Sequence, residues 1–156
     1  MRTESRVQLG ETMQTILLVD DEPMILTYCL RVLSDAGGFH VLPADRGRRA
    51  IDIASDYSGA IELLISDISM PGGITGIELA SQLGPGRPEM KVLLMSGLVS
   101  LDFMRGGSWQ FLGKPFRPDE LLAKVRSMLP VQYRPMPLAW PFATRISSHD
   151  ALARQK

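Results

Sequence analysis

Acidic, hydroxyl and ammonium side chains follow four of the five short apolar runs in this sequence. Asp20 and Asp21 come after the first run, Asp67 after the third, Ser96 after the fourth and Lys114 after the fifth. In an open α/β sheet, ligands bind in the crevice outside the carboxyl ends of the strands. These five residues are therefore the candidates for chemistry.

The residue types favour transfer of a phosphoryl group to a carboxylate. Clustered carboxylates repel one another unless a cation lies among them, and oxygen ligands with room for water suit Mg²⁺. A metal ion and an ammonium group can neutralise the oxygens of a transferring phosphoryl group. A hydroxyl could donate a hydrogen bond to one of those oxygens. One carboxylate would then act as the nucleophile and form an acyl phosphate.

Each of these features also has an ordinary structural explanation. Asp20 and Asp21 can simply cap the following helix, and Asp67 can begin a turn with the Ile-Ser-Met-Pro-Gly segment that follows it. Ser96 precedes a glycine and Lys114 precedes a proline, which is typical of turns and surface loops. The occurrence of all of them at four strand ends favours one shared functional site.

The apolar runs predict five strands that are buried on both faces, as in a parallel sheet. They cover residues 16–19, 39–42, 63–65, 92–95 and 110–112. Amphipathic segments predict helices over residues 23–36, 47–57, 76–83 and 118–129. Because strands and helices alternate, we predict an α/β fold with a doubly wound, five-stranded parallel sheet and right-handed crossovers.

Length and composition fit one globular domain. The chain has 156 residues, of which 45% are hydrophobic, so a packed core is expected. Lys plus Arg and Asp plus Glu number 17 each, so no overall charge favours nucleic acid or an anionic membrane as a partner. The single cysteine, Cys29, excludes an intramolecular disulfide and a multi-cysteine zinc site. Its apolar surroundings in the sequence predict a core position.

Composition divides the chain into three parts. Residues 1–14 predict a flexible N-terminal segment, 15–130 the folded domain, and 131–156 a proline-containing C-terminal tail. The start lacks an apolar stretch of signal-peptide length, and no run approaches the roughly 20 apolar residues of a membrane helix. We therefore expect a cytoplasmic protein. The tail is too short for a DNA-binding output module, so direct DNA binding is not expected.

Four sequence blocks resemble the receiver domain of response regulators in two-component signal transduction. The blocks are ILLVDDEP, LLISDISMPG, VLLMSG and FLGKPF, at residues 16–23, 63–72, 92–97 and 111–116. They occur in the family's order and at close to its spacing over about residues 15–129. The resemblance, which extends to stand-alone receivers and to those of hybrid histidine kinases, implies a flavodoxin-like strand order of 2-1-3-4-5.

The resemblance also implies a role for each acidic residue. Asp67 is the expected phosphoacceptor, and Asp20 and Asp21 form the acidic pair that holds Mg²⁺, with Asp21 the more direct ligand. Asp67 itself and the main-chain carbonyl of Ser69 complete the expected protein ligands of the metal.

The other matching residues are implied to respond to phosphorylation. Ser96 takes the place of the family's switch hydroxyl, and Lys114 that of its conserved lysine, before a cis peptide bond to Pro115. Phe111 matches the aromatic residue that turns inward on activation. The phosphodonor would be a sensor histidine kinase or a histidine phosphotransfer protein, and an unknown downstream protein would bind the switched face.

One segment departs from the family pattern. Only residues 97–113 separate Ser96 from Lys114, several fewer than is usual. We therefore expect a short or irregular fourth helix, which alters the face that family members use for output.

Two other functions compete with this one. An Asp-nucleophile phosphatase would need a second Asp two residues after the nucleophile on the first strand, whereas Asp20 is followed by Asp21 and Glu22. The chain also has no room for such an enzyme's substrate cap, so we do not expect an enzyme. The remaining alternative is a pseudo-receiver that binds partners without phosphorylation. The complete acidic set speaks against it, whereas the shortened segment favours it.

Overall fold

The structure, a computed structural model, describes residues 13–97 and 108–129. Five strands within them form one parallel sheet: β1 (Thr15–Val19), β2 (His40–Ala44), β3 (Leu63–Asp67), β4 (Lys91–Ser96) and β5 (Gln110–Gly113). The strand order is β2-β1-β3-β4-β5. This order confirms the predicted doubly wound, flavodoxin-like fold.

Four α-helices occur in the described residues: α1 (Pro23–Arg31), α2 (Gly47–Asp56), α3 (Gly76–Leu83) and α4 (Pro118–Met128). The first helix was predicted to continue regularly to residue 36, but from Val32 to Ala36 it widens into a π-helix. In this wider turn, Gly37 N donates to the carbonyl of Val32, five residues back, at 3.0 Å. The helix ends before Gly38, whose φ of 71° suits glycine.

Apolar side chains cover both faces of the sheet, and β1 and β3 are buried along their whole length. One face packs against α1, its π-helical extension and α4, through Cys29, Leu33, Leu121 and Val125. The other face packs against α2 and α3, through Ala50, Ala54, Leu79 and Ala80. Burial on both faces explains why the central strands have uninterrupted apolar sequences. The predicted core position of Cys29 is confirmed, since the residue is fully buried.

The order of the strands determines where a site can form. β1 pairs with β2 on one side and with β3 on the other. The first connection therefore leads toward one edge of the sheet, and the later strands are added toward the opposite edge. The crevice of such a sheet lies at the carboxyl ends of the two strands at this reversal. Asp20 follows β1, and Asp67 ends β3.

Several predictions concern residues outside the described ranges. They are the flexible segment 1–14 except its last two residues, residues 98–107 of the segment 97–113 in which a short or irregular fourth helix is expected, and the tail 131–156. Where the structure does describe helices, none has both the length and the apolar character that crossing a membrane requires.

Candidate functional site

Asp67 is the last residue of β3 and lies opposite Met95 of β4 in the parallel register. Only 9% of its side chain is exposed. The backbone pairing continues just past it, where Ile68 N donates to the Met95 carbonyl at 2.9 Å. The carboxylate is therefore anchored by a central strand at the floor of the crevice.

Asp20 lies beside it at the end of β1 and is completely buried. Its backbone N–H donates to the Ala44 carbonyl of β2 at 3.2 Å. One carboxylate oxygen, Oδ1, accepts a hydrogen bond from Glu22 N at 2.9 Å, in a turn that leads into α1. The other oxygen, Oδ2, is thereby directed toward the fifth strand.

Lys114 follows β5 and joins the two carboxylates. Its Nζ lies 2.8 Å from Asp20 Oδ2 and 2.8 Å from Asp67 Oδ1. A third carboxylate, that of the exposed Glu22, is 3.6 Å away. Lys114 N also donates to the Ser96 carbonyl at 2.8 Å, which extends the β4–β5 pairing to the site. The peptide bond from Lys114 to Pro115 is cis, as expected from the family resemblance.

Burial and charge change the acidity of these groups. Burial raises the pKa of Asp67, and the negative charges of Asp20 and Asp21 raise it further, although the hydrogen bond and charge of Lys114 partly oppose this. Burial opposes the charge of Lys114, but its contacts with Asp20 and Asp67 outweigh that effect and raise its pKa. Lys114 thus remains an ammonium group, while the negative charge of Asp67 is held at a cost in free energy.

This cost predicts how stability depends on pH in Mg²⁺-free buffer. Because the pKa of Asp67 is higher in the folded protein than in the unfolded chain, its charge destabilises the fold at pH 7. The penalty disappears as pH falls through the folded-state pKa toward the unfolded value of about 3.9. Asp67→Asn should therefore be more stable than the wild type at pH 7, with a difference that shrinks toward pH 4. Urea unfolding of both proteins across this range tests it, and a constant difference would contradict it.

The remaining predicted residues lie at or shortly after the ends of β1, β3 and β4. Ser96 ends β4, is buried, and lies opposite Gly113 in the register. Asp21 is half-buried and close enough for its charge to influence Asp67. Ser69 lies in the exposed loop two residues after Asp67. The observed centre itself consists of Asp20, Asp67 and Lys114.

Sequence reasoning gave no role to two residues that the structure places at the centre. The backbone of Glu22 fixes Asp20, and its side chain extends toward Lys114. Gly76, the first residue of α3, packs against the backbone of Asp67. Gly76 could have been recognised from its position directly after the capping Thr75. Glycine is a poor helix former, so a glycine in the first turn of a helix indicates a close contact there.

The donor set suits a hard divalent cation. The described residues contain no cluster of three or more His, Cys, Asp or Glu arranged to hold a metal ion. Mg²⁺ does not require one, since it binds through one or two carboxylates and retains several waters. Two adjacent carboxylates, with the charge of Asp21 nearby, provide this chemistry, so the residues present fit the ion.

Two aromatic residues lie on or just before the strand that leads to Lys114. Phe111 in β5 and Trp109 just before it are partly buried and pack on the sheet face covered by α2 and α3. Phe111 lies opposite Leu94 of β4, two residues before Ser96. The predicted switch aromatic therefore occupies the strand next to the predicted switch hydroxyl.

Comparison with protein families identifies the family of the chain. The family model of the response regulator receiver domain matches residues 16–126, which include every residue of the site. The chain belongs to the response-regulator receiver family. Its predicted relation to two-component signalling is thereby established, and receiver domains as a family accept phosphoryl groups from histidine kinases or phosphotransfer proteins and bind Mg²⁺.

Individual relatives include both stand-alone and kinase-attached receivers. The chemotaxis protein CheY4 of Vibrio cholerae has a TM-score of 0.69 and 28% identity, over 75% of this chain and 99% of that one. The receiver of the hybrid histidine kinase CckA has a TM-score of 0.63 and 34% identity, over 74% of this chain and 98% of that one. Both predicted types of receiver are thus among its relatives.

Curated relatives are longer than this receiver. The C4-dicarboxylate transport transcriptional regulatory protein DctD of Pseudomonas aeruginosa is 39% identical over 123 residues. The alignment covers 75% of this chain but only 25% of DctD. The similarity therefore concerns the receiver portion of that protein.

Proposed function

We propose that this chain accepts a phosphoryl group on Asp67 from the phosphohistidine of a sensor histidine kinase or a histidine phosphotransfer protein, in the presence of Mg²⁺. One observation carries the proposal. A single ammonium group, Lys114 Nζ, lies 2.8 Å from the carboxylates of both Asp67 and Asp20, which are buried side by side at the strand ends. This is the charge arrangement that an incoming phosphoryl group requires.

In the proposed reaction, a carboxylate oxygen of Asp67 attacks phosphorus. The bond between phosphorus and the histidine nitrogen breaks, and that nitrogen keeps the electron pair. Because the other ring nitrogen of the phosphohistidine carries a proton, the imidazole leaves as a neutral group. An acyl phosphate forms on Asp67. Lys114 contributes positive charge at the phosphoryl oxygens, and its position between two strand ends holds it there before the reaction.

Asp20, Asp21, Asp67 and the Ser69 carbonyl are the residues that would hold Mg²⁺. When bound, the ion supplies positive charge that neutralises the phosphoryl oxygens and relieves the repulsion among the carboxylates. The close pairing of the buried Asp20 and Asp67 carboxylates around Lys114 supports this role, and burial, which raises the pKa of Asp67, makes a further positive charge beside it favourable.

We infer that phosphorylation changes a protein-binding face around β4 and β5. Ser96 and Lys114 would move toward the phosphoryl oxygens, and Phe111 would follow into the space that opens. Such a change shifts an existing equilibrium between two conformations. The chain would thus signal in the cytoplasm to a downstream protein, with no nucleic-acid or membrane partner, and would not turn over a substrate as an enzyme.

The pseudo-receiver remains the alternative, and the Asp20–Lys114–Asp67 centre argues against it. A protein that binds partners without phosphorylation has no need for two buried carboxylates, because the burial of charged groups costs free energy.

Intact mass spectrometry of the full chain with acetyl phosphate tests the proposal. We expect the mass to increase by one phosphoryl group when Mg²⁺ is present and to remain unchanged when EDTA removes the metal. A parallel incubation with a phosphorylated histidine phosphotransfer protein tests the physiological type of donor. No Mg²⁺-dependent increase with either donor would favour the pseudo-receiver.

A further inference from the structure

Gly76 lies unusually close to the main chain of the phosphoacceptor. A Cβ atom at position 76 would be 2.2 Å from the Asp67 carbonyl oxygen, 3.0 Å from its carbon and 2.9 Å from Ser66 Oγ. Two of these three contacts are with backbone atoms. The backbones would have to separate by about 1 Å to reach ordinary van der Waals distance, so only glycine fits without displacement.

The start of α3 cannot easily retreat from this contact. Gly76 N donates to the Ile68 carbonyl at 3.0 Å, which closes the loop of residues 68–75 back onto the end of β3. Thr75 and Glu78 form a reciprocal capping box, with Glu78 N donating to Thr75 Oγ1 at 3.1 Å and Thr75 N to Glu78 Oε2 at 2.7 Å. The first of these bonds ties the start of the helix to the residue after Asp67, and the capping box stabilises the first turn itself.

The same carbonyl is held by the preceding residue. Ser66 is completely buried, and its Oγ donates to the Asp67 carbonyl oxygen at 2.9 Å. Ser66 and Gly76 therefore contact the main chain of Asp67, while Lys114 Nζ contacts its carboxylate at 2.8 Å. A shift of the Asp67 backbone changes the distance between its carboxylate and Lys114 Nζ, because the short aspartate side chain connects the backbone to the carboxylate.

We infer that Gly76 is a positioning residue for phosphoryl transfer. Its missing side chain lets α3 pack against the Asp67 carbonyl, which Ser66 also holds. This packing sets the distance between the Asp67 carboxylate and Lys114. The inference rests on the proposed function of Asp67. It adds a residue that positions the backbone of the phosphoacceptor and does not itself contact the phosphoryl oxygens.

The test compares an alanine substitution at Gly76 with one at a glycine in the preceding loop. Gly73 lies three residues before Gly76, and a Cβ there would meet no atom within 4 Å, so Gly73→Ala is a matched control. The phosphorylation rate constant of the full chain is measured at saturating Mg²⁺ and acetyl phosphate, on protein verified as folded by circular dichroism. Gly76→Ala should lower it by about 10-fold to 100-fold, as expected for misplacement by about 1 Å, and Gly73→Ala by less than about 2-fold. A crystal structure of Gly76→Ala should show a lengthened Lys114–Asp67 distance, which a general loss of stability would not produce.

Ser66→Ala tests the same carbonyl without adding an atom. It should remain folded and lower the rate constant by a few-fold. If the wild type is phosphorylated but folded Gly76→Ala reacts at the wild-type rate, the inference alone is overturned. If Gly76→Ala does not fold and Ser66→Ala reacts at the wild-type rate, the inference is likewise overturned. A wild type that takes up no phosphoryl group removes the proposed function and the inference together.

Discussion

Asp67→Asn is expected to abolish phosphoryl uptake from acetyl phosphate, with no mass increase even at saturating Mg²⁺. An amide oxygen is a much weaker nucleophile than a carboxylate, and the side chain has nearly the same size, so the fold should persist. Asp67 is buried and its carboxylate lies 2.8 Å from Lys114 Nζ, so an acyl phosphate formed on it would lie next to a positive charge. Intact mass spectrometry after a fixed incubation provides the measurement.

Asp45→Asn is the matched control for this substitution. Asp45 also follows a strand at the same edge of the sheet, directly after β2, but it is exposed and paired with Arg46 at 3.0 Å. It should be phosphorylated like the wild type. Full phosphorylation of Asp67→Asn would show that another residue accepts the group and would refute the assignment.

Lys114→Met is expected to have the second largest effect, on both stability and transfer. Methionine approximates the length of lysine but leaves the carboxylates of Asp20 and Asp67 buried with no cation between them. Loss of one partner from a buried ion pair destabilises proteins by about 3 to 5 kcal/mol. Loss of a positive charge at the transferring phosphoryl group should also slow uptake by at least about 10-fold. Urea unfolding at pH 7 without Mg²⁺ measures the first effect, and the rate of mass increase the second.

A double-mutant cycle separates the charge effect from the loss of packing. If repulsion between the two carboxylates causes the instability, Asp67→Asn should restore much of the stability in the Lys114→Met background. Lys124→Met, on α4, is the control because Lys124 forms no ion pair within the part of the chain that the structure describes. Unchanged stability and rate in Lys114→Met would mean that the ion pairs contribute little to the site.

Most of the fold could be predicted from local sequence. The strands were recognisable because central strands of a parallel sheet are buried on both faces and therefore consist of consecutive apolar residues, as in β1 and β3. Helix starts were recognisable at Pro23 and Pro118, where the fixed φ of proline suits the first turn. The π-helical end of α1 was not predictable, since amphipathic patterning does not show where the backbone bonds change from four to five residues back, as in the bond from Gly37 N to the Val32 carbonyl.

The residues that form the site could be predicted, but the ion pairs among them could not. Polar residues after apolar strands must meet at one edge of a parallel sheet, so Asp20, Asp67 and Lys114 could be grouped without coordinates. Which carboxylates share the ammonium group depends on distances between strands that are far apart in the sequence. The structure assigns Lys114 to both Asp20 and Asp67 and leaves Glu22 at 3.6 Å.

The sequence by itself thus determined the class of fold, the identity of the acidic and basic residues at the strand ends, and their family. These follow from periodicity and residue type, which are local properties. Tertiary structure decided the burial that raises the pKa of Asp67, the shared ion pair of Lys114 and the contact of Gly76 with the Asp67 carbonyl. Each of these depends on the separation of atoms from different elements, and that separation is set only when the helices pack against the sheet.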